Sequence, residues 1–143
     1  MLVSTKGRYA LRLMVYIASA PGRKVALREV SENEGISPKY LEQLARDMVA
    51  GNLLNSVRGH GGGYLLARPA EEITVGDVLR AAEGSVSPVA CASLEAGGPG
   101  CPRESVCPTL SFWRGLDSVI DTYVDGVTLA DLRDEEMSCI PEE

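Results

Sequence analysis

The chain has 143 residues, 45% hydrophobic and 24% charged. It is long enough to bury a core without disulfides or metals to hold it, as one modest domain or as a head with a short extension. No apolar run approaches the length that spans a bilayer. The apolar N-terminal stretch is interrupted by Arg12 and has helical spacing, which argues against a signal peptide and for a cytoplasmic protein. The net charge of -6 argues against nucleic acid only when taken whole. Residues 1–68 carry ten Lys and Arg against five Asp and Glu, a net of +5, and residues 69–143 carry four against fifteen, a net of -11. A basic head on an acidic body is the balance of a nucleic-acid reader with a separate regulatory part.

The first helix is predicted from about Thr5 to Ala20. Leu11, Met14, Val15 and Ala18 form its apolar stripe, and Pro21-Gly22 ends it. A second helix starts near Ala26, with Leu27 and Val30 inward, and Gly35 breaks it. Ser37 then caps a third helix, Pro38 takes its first position, and Ile36 and Leu41 are placed to pack across the cap. Leu41, Leu44, Ala45 and Met48 carry its inner face, and Gly51-Asn52 stops it. Leu53–Val57 and Tyr64–Ala67 read as two strands around a glycine turn, Gly59 to Gly63. Thr74 and Asp77 form a capping box for a fourth helix that ends at Gly84, with Ile73 and Val78 as its apolar staple. Residues 85–106 are rich in Gly and Pro and read as an irregular loop. Pro108 opens a long helix to about Asp125. It carries two stripes, Phe112-Leu116-Val119-Tyr123 and Trp113-Ile120-Val124; one suffices to dock it on its own domain, and the second suits a second subunit. Thr128 and Asp131 repeat the capping pattern, with Val127 and Leu132 as staple, and an acidic tail follows. No internal repeat is present.

Two short helices joined by a glycine turn, then a glycine-tipped hairpin, spell a winged helix-turn-helix. The expected fold is mainly α with a small β-wing, followed by a long dimerisation helix. The expected boundaries are 1–84 for the DNA-binding domain, 85–107 for the cysteine loop, 108–136 for the dimerisation and C-terminal helices, and 137–143 for the tail. The reading helix offers Ser37, Lys39, Tyr40, Glu42, Gln43 and Arg46. Gln bonds adenine bidentately, Ser and Tyr reach bases or phosphate, and Glu accepts from a cytosine amine or repels sequences that lack one. At the wing tip Arg58 is placed for a minor groove or a phosphate, with His60 beside it. Lys6 completes the basic set at the first helix. The partner implied is double-stranded promoter DNA, with no role for a membrane.

Cys91, Cys101 and Cys107 lie in one loop with C-x9-C-x5-C spacing, and Cys139 stands apart. Clustered cytosolic thiols point to an iron–sulfur cluster, zinc or thiol-redox chemistry rather than to structural disulfides. Cys107 precedes Pro108 at the start of the long helix, where the helix dipole favours the thiolate. An enzyme is not indicated, because the lone histidine sits in the wing and no base is paired with a nucleophile.

Ser4-Thr5-Lys6-Gly7-Arg8-Tyr9-Ala10, Gly35-Ile36-Ser37 with Tyr40-Leu41-Glu42-Gln43-Leu44, and Ser56-Val57-Arg58-Gly59 with Gly61-Gly62-Gly63-Tyr64-Leu65-Leu66 closely resemble the IscR-type iron–sulfur cluster regulators. So do Ile73-Thr74-Val75-Gly76-Asp77-Val78 and Thr128-Leu129-Ala130-Asp131-Leu132. This winged-helix family also includes the nitric oxide sensor NsrR and the cysteine-metabolism repressor CymR. The resemblance covers about residues 1–135. It implies a homodimer with crossing long helices, and a cluster, 2Fe–2S or 4Fe–4S, held by Cys91, Cys101 and Cys107. A fourth ligand is not supplied by the family pattern: its histidine position is Leu110 here, and its alternative aspartate position is Arg8. Cys139, Glu104, Ser111, a water or a partner-chain group are the candidates. The segment Glu83–Val89 is more like CymR, which implies the alternative of a repressor of sulfur metabolism controlled by a protein partner. A zinc or thiol-redox sensor is the other alternative.

Overall fold

The computed structural model describes residues 3–95 and 97–138. Six helices and a two-stranded antiparallel sheet make up the fold, in the order α1 (Thr5–Ala18), α2 (Leu27–Glu34), α3 (Pro38–Ala50), β1 (Leu54–Val57), β2 (Gly63–Leu66), α4 (Val75–Glu83), α5 (Leu110–Asp125) and α6 (Leu129–Ser138). Single helical turns at Ala70–Glu72, Ala92–Leu94 and Glu104–Val106 sit in the connections.

The α1 helix lies at the centre, packed on α3, α4, α6 and the wing. Its fully buried face is Ala10, Leu13, Met14 and Ile17, with Ala18. The predicted stripe is therefore rotated: Leu11 and Val15 are half-buried at its edge. A helix embraced on several sides buries a wider arc than a single stripe. The helix also stops at Ala18, two residues short of the reading, and Ser19 and Ala20 turn out of it through bonds to Val15, Tyr16 and Ile17 carbonyls.

The helix-turn-helix forms as its local chemistry dictates. Gly35 ends α2 in the left-handed region, φ 67°, and its N–H reaches Ser31 O at 3.0 Å. That conformation carries no steric cost for glycine alone. Ser37 caps α3 by accepting from Tyr40 N at 3.2 Å, and Pro38 takes the first turn. Ile36, Leu41, Leu44, Ala45 and Met48 are all buried in the core, as their spacing predicts.

The wing pairs Leu54 with Leu66 through Val57 with Gly63. Val25, just before α2, adds a bridge to Tyr64 with bonds of 3.0 and 2.9 Å, so the wing is stitched to the helix-turn-helix rather than hanging free. This close approach needs Gly63, where a Cβ would stand 2.6 Å from Val25 O.

Two Thr–Asp capping boxes lie side by side. Thr74 and Asp77 exchange bonds of 3.0 and 3.0 Å at the head of α4, and Thr128 and Asp131 exchange bonds of 2.9 and 3.1 Å at the head of α6. Their N-cap residues pair antiparallel, with Val75 N on Val127 O and Leu129 N on Ile73 O. This seats α6 on α1 with Leu129 fully buried. The α6 helix runs through Ser138, into the segment read as tail; the rest of the tail and Cys139 lie outside the described residues.

The α5 helix begins at Leu110, two residues after Pro108, because Pro108 and Thr109 form an entry turn. Of its two stripes, Val124 packs with Leu79 and Val86, and Ile120 flanks them. The other stripe is left open: Phe112, Val119 and Tyr123 are 62%, 65% and 73% exposed. No described helix is long and apolar enough to cross a membrane.

Candidate nucleic-acid interface and cysteine loop

On α3, Lys39, Glu42, Gln43 and Arg46 are exposed, on the face opposite the buried Leu41, Leu44, Ala45 and Met48. Helical periodicity forces this division, so the four polar side chains share one outward surface. Ser37 and Tyr40 differ from them. The Ser37 oxygen accepts the cap bond, and Tyr40 is half-buried with its ring edge-on to Tyr9, centroids 5.9 Å apart. Arg12 lies over the other partner of that pair, 5.3 Å from the Tyr9 ring centre.

The wing tip projects Arg58 and His60, both exposed. Gly62 N–H closes the tip on Gly59 O at 3.0 Å, and a Cβ on Gly62 would collide with Val57 O. The glycine run is thus required by the hairpin's own backbone before any question of DNA arises.

Lys6 is not a free cation. Its ammonium pairs with Asp47 at 2.9 Å, tying α1 to the reading helix. The start of α1 is fixed from below by Glu83, at the end of α4. Glu83 Oε1 accepts from Ser4 N at 3.0 Å, Ser4 Oγ at 2.6 Å and Gly7 N at 2.9 Å. The Ser4 hydroxyl, the two amides and the nearby Lys6 charge hold its carboxyl below the ordinary value. Neither Asp47 nor Glu83 carries a local sequence signal, since each meets its partner across a long stretch of chain.

Behind this head, Arg80 of α4 grips Asp125 and Asp121 of α5 with bonds of 2.6, 3.0 and 2.9 Å. The Arg80 guanidinium is pushed up by Asp125 first, and Asp125 is held down in return. This joint and the Leu79–Val86–Val124 contact anchor α5 to the head.

The three thiols Cys91, Cys101 and Cys107 are free and half-buried in the loop between α4 and α5. Cys91 lines a cleft of about 600 Å³ together with Leu79, Glu83, Val86 and Leu94. Cys101 Sγ accepts from Arg103 N at 3.4 Å. Cys107 Sγ lies 3.6 Å from Thr109 Oγ1, and that hydroxyl, with the Thr109 and Leu110 amides at the helix entry, draws its thiol below the ordinary value. The expected bias toward thiolate at Cys107 is present; its largest source is a side-chain hydroxyl, with the helix amides adding to it. The loop gives the three thiols no common centre: among the described residues no three His, Cys, Asp or Glu side chains stand together as a metal-holding group. Glu104 has both oxygens engaged, one by Arg114 and one by Ser93 Oγ at 3.1 Å.

A helix-turn-helix with an outward polar face, a hairpin wing stitched beside it and a long helix behind define a winged-helix transcription regulator. The comparisons agree. The Rrf2 family model, described as an iron-dependent transcriptional regulator, matches residues 3–135, and the chain belongs to that family. It is 41% identical over 137 residues to the HTH-type transcriptional regulator IscR of Sodalis glossinidius, covering 95% of this chain and 81% of the relative. It is 42% identical over 134 residues to IscR of Serratia proteamaculans, covering 92% and 79%. Among solved structures, T. potens IscR superposes with a TM-score of 0.75 at 34% identity, over 100% of this chain and 94% of that one. CymR of B. subtilis, titled a global cysteine regulator, gives 0.75 at 32%, over 94% and 98%. The chain is thus a DNA-binding transcriptional regulator of the Rrf2 and IscR type.

Proposed function

We propose that this regulator binds promoter DNA as a homodimer and that an iron–sulfur cluster held through Cys91, Cys101 and Cys107 controls that binding. The observation that carries the reading is the position of the thiols: all three lie in the one segment that joins the DNA-reading head to α5. The IscR names of the relatives and the iron-dependent description of the family support it. Because no assembled ligand group stands among the described residues, binding one cluster requires the three thiols to be drawn together.

Each protomer contributes α3 and its wing, with Lys39, Gln43, Arg46, Arg58 and His60 as the DNA-facing groups, Glu42 as the discriminating carboxylate, and Ser37, Tyr40 and Lys6 at the edge of the footprint. The exposed Phe112-Val119-Tyr123 stripe on α5 supports the dimer, since exposed aromatic surface of this size on a helix favours a partner. The protein is a switch rather than an enzyme.

The test is anaerobic purification followed by iron, acid-labile sulfide and zinc assays and a visible spectrum. Iron and sulfide in the wild type, lost in Cys107→Ala, are the expected result. Stoichiometric zinc would replace the cluster by a zinc sensor. Metal-free protein that resists reconstitution would sink the cofactor reading and leave DNA binding standing.

A further inference from the structure

The loop between α4 and α5 is fastened to α5 by an unbroken run of polar contacts. The Cys101 amide donates to Ser93 Oγ at 3.1 Å. The Ser93 hydroxyl donates to Glu104 Oε2 at 3.1 Å. Glu104 Oε1 pairs with Arg114, in the early turns of α5. The Glu104 amide also returns to Cys101 O at 3.0 Å, which closes a ring around Cys101. Gly100, just before Cys101, has φ +76°, and a Cβ there would stand 3.1 Å from Glu104 Oε2. Glu104 is the shared member of both halves, bonded to the loop through one oxygen and to the helix through the other.

We propose that Glu104 is a positioning residue that fastens the Cys101 arm of the loop to α5, so that a displacement of Cys101 is felt by the helix that carries the exposed apolar stripe. The ion pair is 40% exposed at Glu104 and 53% at Arg114, and an exposed pair by itself holds little. The strength of the fastening comes from the closed ring of Cys101, Ser93 and Glu104, which holds the Glu104 carboxylate in place for Arg114. Arg114 lies two residues from Phe112 and packs no apolar core of its own. It is therefore free to serve the loop. The inference deepens the proposed regulatory reading and rests on it for its consequence, though not for its test.

The test is residue-resolved alkylation of the full-length, reduced, chelator-treated protein with iodoacetamide, read by mass spectrometry, beside hydrogen exchange. Glu104→Gln and Arg114→Ala are expected to speed alkylation of Cys101 about fivefold, on the order of one lost hydrogen bond. Exchange in the first turns of α5 rises with Cys101 reactivity. Arg114→Lys, which keeps a cation facing Glu104 and leaves the Ser93 bond untouched, stays close to the slow rate. An unchanged Cys101 rate in both single variants overturns the proposal. Arg114→Lys as fast as Arg114→Ala would remove the ion pair from the argument and overturn the proposal. Neither iron nor DNA enters this measurement, so it can fail while the cluster reading stands, and the iron and sulfide assays can fail while the fastening stands.

Discussion

Removing the Glu83 carboxylate tests how α4 holds the start of α1. One oxygen takes three donors: Ser4 N, Ser4 Oγ and Gly7 N. Ser4 is exposed, so water replaces its two bonds and their loss costs little. Gly7 is buried, and its amide has no such replacement. A bond to a charged acceptor contributes about 1.5–3 kcal/mol, so Glu83→Ala is expected to cost about 2 kcal/mol. Glu83→Gln keeps an acceptor in place and loses only the charge, which is about half of that. In a domain of this size 2 kcal/mol lowers Tm by roughly 6 °C. Acidification supplies a second, independent check. The folded Glu83 carboxyl lies below its unfolded value, so its contribution is fully present above the ordinary carboxylate range and is lost as pH falls through the folded value. The gap between wild type and Glu83→Gln, followed by circular dichroism melts, is therefore constant from pH 8 to 6 and closes below about pH 4. A Tm change under about 1 °C for Glu83→Ala, or a gap that persists at low pH, would refute the reasoning.

Arg58→Ala is expected to weaken promoter binding and to lower the slope of log K against log salt by about one, measured by fluorescence anisotropy; an unchanged slope removes Arg58 from the phosphate contacts. Gly62→Ala forces a methyl group into Val57 O and should distort the wing tip, lowering DNA affinity much more than Tm, since the core lies elsewhere. Equal loss of both would show that the wing is part of the cooperative fold. Gly76→Ala would place its methyl on the Asp125 carboxylate and against Arg80, expelling a pair that is 47% and 37% exposed. The expected cost in denaturant melts is about 1 kcal/mol, small because water screens the pair, and it should fall well short of additivity with Asp125→Ala.

Much of this protein is legible in its sequence, where the governing interactions are local. The Ser37 cap, both Thr–Asp boxes, the Gly35 break and the glycine-tipped hairpin each act within about four residues, and each forms where the residues place it. The inner face of α3 is equally legible, because a helix with one polar side has one choice of what to bury. In α1 the choice was not local. Leu11 and Val15 fit the helical period as well as Leu13 and Ile17 do, and only the placement of α3, α4 and α6 around the helix decides which set is fully buried.

Tertiary structure also decides where most charges go. Lys6 reads as a DNA contact from its neighbours; its pairing with Asp47 is visible only in the fold. Glu83, Arg80 and Glu104 have no signature in sequence, because each finds its partners only once helices and loop have packed. The three cysteines mark the loop by their spacing alone, yet spacing does not set how the loop backbone is held; on the Cys101 arm that is done by Ser93, Glu104 and Arg114. Which stripe of α5 docks and which remains open is settled in the same way, by the Arg80 grip and the Leu79–Val86 contact that turn Val124 inward and leave Phe112, Val119 and Tyr123 outside. Short-range hydrogen bonds and periodicity are written in consecutive residues; long-range charge pairing and the orientation of a helix with two apolar faces exist only in the packed chain.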